Sequence, residues 1–149
     1  MSVLFDSPAE VYDIYQNAAP DNWLRVAVRL RKAGTAEEFS VAHEDGVYVW
    51  DSGEVKAQYL RVRGNDAKYR LHTFFFDDLD GPSWTDGLLV VDADGNRSTT
   101  LIDGVEGVSE DFLELGKDFV QEYLAEHREE MSQLGQDTYG GRRKGVFRR

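Results

Sequence analysis

The densest set of groups that could do chemistry is Asp77-Asp78-Leu79-Asp80-Gly81-Pro82-Ser83-Trp84-Thr85-Asp86, four carboxylates around one tryptophan. Neighbouring carboxylates can divide acid–base work or ligate a cation. The same stretch also fits a solvated turn whose Trp84 folds back onto the core. A third reading is a docking surface in which Trp84 is the anchor and Asp77, Asp78, Asp80 and Asp86 steer a basic partner. Among the functional readings, docking is the one that needs no catalytic base, and those five residues are the expected partner-binding set.

The remaining inventory gives catalysis little to work with. There is no cysteine, no Gly-x-Ser-x-Gly elbow and no glycine-rich phosphate cradle. His43, His72 and His127 stand on different segments without metal-ligand spacing, although His43 and His72 could meet across a sheet. Asp92-Ala93-Asp94-Gly95-Asn96, with Asp103, has acids at the first, third and twelfth places of a calcium loop. Its glycine comes early and its last ligand is Asp rather than Glu, so a hairpin turn is expected. The expectation is a protein that binds rather than catalyses, with no cofactor and no metal.

The elements that would position these groups follow from periodicity. Ser7-Pro8-Ala9-Glu10 reads as a helix start with Ser7 as cap, and Val11, Ile14, Tyr15 and Ala18 form an apolar stripe. From Trp23 the period becomes two. Leu24, Val26, Val28 and Leu30 face one way, and Arg25, Arg29 and Arg31 form a basic outer row. Asp45-Gly46 predicts a hairpin turn between Phe39–Glu44 and Val47–Trp50. Residues 54–63 fit a strand or a helix face, with the strand preferred, and Ala67–Phe76 reads as a strand apolar on both faces. Gly87–Asp92 and Ser98–Ile102 pair through Asp94-Gly95-Asn96.

Ser109–Leu134 is the strongest helix, capped by Ser109 and stopped at Gly135, with Phe112, Leu115, Phe119, Tyr123, Leu124, His127 and Met131 on one side. The fold class expected is α+β: an N-terminal helix, an antiparallel sheet of about six to seven strands, and a long C-terminal helix packed on it. Helices would cover one face of the sheet. Residues 1–135 form a single acidic domain, and 136–149 a flexible basic tail.

Composition agrees with a folded chain of 149 residues, 41% hydrophobic and 30% charged, and lacking cysteine it fits a cytoplasmic setting. No signal peptide or membrane-spanning run is read from the sequence. The net charge is −11. Arg142, Arg143, Lys144, Arg148 and Arg149 all lie in the last nine residues, so residues 1–140 carry −16. Such a surface repels nucleic acid and anionic membranes and attracts cationic proteins.

Tyr12, Ile14 and Tyr15, followed by Ala19-Pro20 and Trp23 and then an alternating strand, resemble the opening of YezG-type antitoxin/immunity proteins. The similarity continues at Asp45-Gly46 and where Trp84 precedes a strand, Asp94-Gly95 and another strand, about two-thirds of the chain in all. That family places a helix between the early hairpin and the tryptophan, where residues 54–76 here read as strands. Trp23, Trp84, Asp94 and Gly95 carry over as fold-defining positions. The resemblance implies a cytoplasmic inhibitor that binds a cognate protein toxin, frequently a nuclease. A protein of a different class, a small-ligand carrier or enzyme, would instead hold a pocket between a curved sheet and the C-terminal helix, lined by Tyr59, Phe75, Phe119 and Tyr123.

Overall fold

The computed structural model describes residues 2–34, 38–79, 84–102 and 118–140. Its frame is one antiparallel sheet built from β1 (Ser2–Leu4), β2 (Trp23–Gly34), β3 (Phe39–Asp51), β4 (Glu54–Tyr59), β5 (Asp86–Asp92) and β6 (Arg97–Ile102). The strands lie in the order β1-β6-β5-β2-β3-β4. Among the described residues three helices accompany them: α1 (Ala9–Ala18), α2 (Asn65–Thr73) and α3 (Phe119–Gly135). The architecture is α+β with the C-terminal helix packed on the sheet, as expected. Among the described residues five strands, rather than six or seven, lie between the first and last helices, and β1 is a short edge strand ahead of α1.

Both faces of the sheet are covered, not one. On the first face, Val11, Tyr12 and Tyr15 of α1 and Leu71 of α2 pack over Val26, Val28, Val47, Val49, Leu89 and Val91. On the second face, Phe119, Val120, Tyr123, Leu124 and Met131 of α3 pack over Leu24, Ala27, Tyr48, Trp50 and Val55. This is why β3 is buried at every residue from Gly46 to Trp50 and does not alternate. A bulge between Trp23 and Arg25 shifts the register, so Leu24 joins the α3 face and leaves Val26 and Val28 on the other.

The basic outer row is therefore a roofed row at its first member. Arg25 lies beneath α3, its Nε 2.6 Å from Asp92 Oδ1 and its Nη2 3.0 Å from Asp92 Oδ2. Nη1 donates to Tyr123 Oη at 3.0 Å and approaches Glu130 at 3.4 Å.

Several local expectations change for identifiable reasons. Asp45-Gly46 is not a turn, because β3 runs straight through it. Gly46 is needed for close approach, since a Cβ there would lie 3.1 Å from Tyr48 Oη and 3.2 Å from Val120. The segment expected as a strand at 67–76 is α2 followed by one wide turn over Phe74–Asp78, closed by the Leu79 N–H on the Phe74 carbonyl. Leu71, Phe74, Phe75 and Leu79 are buried at helical spacing, a pattern that a two-sided strand imitates over a short run. Glu54–Tyr59 is a strand, as preferred.

Ser7 does not cap α1; its hydroxyl is buried against Thr99 Oγ1 at 2.7 Å, which also meets Tyr12 Oη at 2.7 Å. The Asp92–Asn96 turn forms as expected, with Gly95 at φ +102°. The Ser109 cap, Phe112 and Leu115 lie outside the described residues. At the other end the chain continues beyond Gly135 as a wide turn over Gln136–Gly140, where Tyr139 Oη donates to the Trp23 carbonyl at 2.8 Å. The first five residues assigned to a loose tail are thus docked on the body.

α3 ends at Gly135 as expected, and the glycine also makes room for Trp50, whose ring would overlap an added Cβ. Gly135→Ala is expected to destabilise the fold by about 1–3 kcal/mol through overpacking, read as a lower midpoint in urea unfolding. Asp92→Ala leaves the Arg25 guanidinium, 11% exposed, without its bidentate partner and is expected to cost about 3 kcal/mol. The double replacement Arg25→Met with Asp92→Leu is expected to recover most of that loss in the same measurement.

Candidate functional site

The acidic stretch is pulled apart by its own pairings. Asp77 is exposed at the end of the turn after α2. Asp78 holds Arg70 at 2.9 Å, and the same guanidinium reaches Glu10 of α1 at 2.6 Å. Trp84 is 3% exposed and its Nε1 donates to the Leu79 carbonyl at 2.9 Å, so it packs into the core and is not an exposed anchor. Asp86 opens β5 and faces Arg31 at 3.1 Å, with burial raising its carboxyl above the ordinary value against the pull of that arginine. Asp80 lies outside the described residues. Of the five expected partner-binding residues, Asp77 alone is both exposed and without an ion pair among the described residues.

A groove of about 470 Å³ forms where none was read from the sequence, between the outer part of β3 and α2. Val41, Leu60, Leu71 and Phe75 supply its apolar surface, and His43, Asp45, Arg61, Lys68 and His72 supply the polar groups. It brings His43 of β3 and His72 of α2 to one groove, although His72 stands on a helix and the two do not meet across a sheet. His43 Nδ1 lies 2.7 Å from Asp45 Oδ1, and its ring packs 5.1 Å from Phe75. His72 packs 4.6 Å from Phe76. The bond to Asp45 raises the His43 imidazole above 6.5, outweighing the opposing effect of burial. No serine, threonine or cysteine lines this groove, so the His–Asp pair has no nucleophile to activate. Among the described residues no three acids or histidines are placed to hold a metal ion.

A second acidic surface is the outward side of α3. Asp118, Glu122, Glu126, Glu129 and Asp137 are all exposed, at spacings of four, four, three and eight along the helix and its final turn. The signal is present in the sequence as the polar complement of the buried stripe. Glu130, next to this row, is engaged with His127 and Arg25.

Comparison with protein-family models, curated proteins and solved structures finds no match to this chain. Among the described residues no helix is long and apolar enough to cross a membrane.

The His43–Asp45 pair gives a measurable pH signature. With its folded value above the unfolded one, His43 contributes stability that is fully present below pH 6.5 and is lost as pH rises through the folded value. An NMR titration is expected to place the His43 midpoint above 6.5 in the native chain and to move it down in Asp45→Asn. The stability gap between the two proteins is expected to narrow as pH rises through the His43 midpoint.

Proposed function

We propose that the protein is an immunity- or antitoxin-like inhibitor that binds a cationic protein toxin through an acidic surface, without catalysis of its own. The observation that carries this reading is the exposed carboxylate row on α3, in a chain whose net charge is −11. Arg128 is the only cation on that helix, so the row faces solvent nearly unopposed. Carboxylates at this spacing resemble the charge pattern of a polyanion, and a nuclease cleft shaped for phosphates is attracted by them over a Debye length. Among its described residues the acid loop contributes Asp77, and the anchor role first given to Trp84 is not retained.

Two further features support the reading. The resemblance to YezG-type proteins expects a helix between the early strands and Trp84, and α2 occupies that interval. The ligand-carrier alternative needs a cavity between the sheet and α3, but Leu24, Tyr48, Trp50, Phe119 and Met131 fill that space with side chains at most 8% exposed.

The test is to express the product of the adjacent open reading frame, which this reading expects to be a cationic toxin, and to measure its binding and inhibition. Tight association is expected to weaken steeply between low and high salt, and Glu122→Lys with Glu126→Lys and Glu129→Lys to lower the association rate by about tenfold or more. Association that is absent, or that is unchanged by salt and by the triple replacement, rejects the reading.

A further inference from the structure

Residues 39–44 of β3 are paired on the β2 side alone among the described residues. β4 covers Gly46–Asp51, the Leu60 N–H closes onto the Asp45 carbonyl at 3.0 Å, and the chain then leaves the sheet for α2. Backbone groups alternate sides along a strand, so Val41 and His43 direct their N–H and C=O the same way as Asp45, out from the sheet edge. An open edge of this kind is a template for one more strand. The side chains of Val41 and His43 also line the groove beside α2, so backbone donors and an apolar floor meet at one place.

The charge of that place is opposite to that of the chain. Arg25, Arg31, Lys56, Arg70 and Arg97 each hold a carboxylate. Arg29 and Lys32 lie over the rings of Phe119 and Phe39. Among the described residues, Arg61, Arg63, Lys68 and Arg128 have neither kind of partner. Three of these four stand along the groove and the smaller one that continues it toward α1, where Arg61 and Val62 belong to both. In a protein with an excess of acids, cations left unpaired at one edge mark a place where outside carboxylates are stabilised.

We propose that this groove receives an extended acidic segment of a partner polypeptide, which adds to β3 as a strand beside Val41 and His43. Its apolar side chain would rest on Leu71 and Phe75, and its carboxylates would meet Arg61 and Lys68. A small anion would use the two cations but leave the strand edge idle, whereas a peptide uses both. The proposal is independent of the inhibitor reading, because it uses a strand edge and the α2 face rather than α3.

The test is an NMR titration of the isotope-labelled full chain with a capped hexapeptide alternating valine and glutamate. Saturable shifts are expected at the Val41 and His43 amides, with slower hydrogen exchange there. Affinity is expected to fall about tenfold in Arg61→Glu with Lys68→Glu, both exposed positions whose replacement leaves the rest of the spectrum in place. The same peptide with lysine for glutamate is expected not to bind. Absence of saturable shifts, equal binding of the lysine peptide, or shifts confined to Arg61 and Lys68 with the edge amides unmoved would each overturn the proposal.

Discussion

The buried ion pair between Arg25 and Asp92 is the constraint around which the rest of the molecule is arranged. Its two residues face each other across β2 and β5, and α3 closes over them. A guanidinium taken out of water costs several kcal/mol unless its donors are matched. Here the carboxylate of Asp92 takes two donors, and Tyr123 and Glu130 take the third side. The helix can therefore settle only in the rotation that presents Tyr123 inward and sets Glu130 at the edge of the packed face. That rotation decides what is left outside: with Phe119, Tyr123 and Met131 turned to the sheet, Glu122, Glu126 and Glu129 must face water.

Asp92 also ties this pairing to the local chain. Its N–H donates to the Asn96 carbonyl and its carbonyl accepts from Gly95, so the residue that neutralises Arg25 also opens the β5–β6 turn. The neighbouring Ala93 N–H donates to the carbonyl of Leu24 at the β2 bulge. Bulge, turn and ion pair are thus one unit, and the bulge is what lets Leu24 and Arg25 both serve the α3 side. A regular β2 would have sent Leu24 to the opposite face.

Sequence reasoning reached the parts of this fold whose signals are local. The Asp94-Gly95-Asn96 turn, the strands around it, α1 and the amphipathic C-terminal helix all follow from periods and turn chemistry within a few residues. What it missed was decided by distant contacts. Gly46 reads as a turn glycine until Val120 is known to press on it, and nothing near Gly135, where the helix ends as read, announces that Trp50 lies against it. Arg25 reads as solvent-facing until α3 covers it. The site was less legible than the fold. Asp78 and Asp86 count as free acids in the sequence, but Arg70 and Arg31, eight and fifty-five positions before them in the chain, claim them. Nothing local to residues 77–86 announces those partners.

The same pairing logic explains why the molecule presents two surfaces of opposite sign. Acids outnumber bases 28 to 17, yet among the described residues Arg61, Arg63, Lys68 and Arg128 are left with neither a carboxylate nor a ring. Three of these four collect where β4 gives out and the chain crosses to α2. Arg61 and Arg63 lie on that crossing segment, which has no helix or strand of its own, and Lys68 lies one turn into α2. A carboxylate on the facing part of β3 would have neutralised them, but Asp45 is drawn to His43 by its 2.7 Å contact. A row of exposed acids meanwhile stands on α3, with Glu130 at the edge of its packed face completing the Arg25 cluster. Opposite charges thus settle on different elements because each follows from which side chains the core has already used.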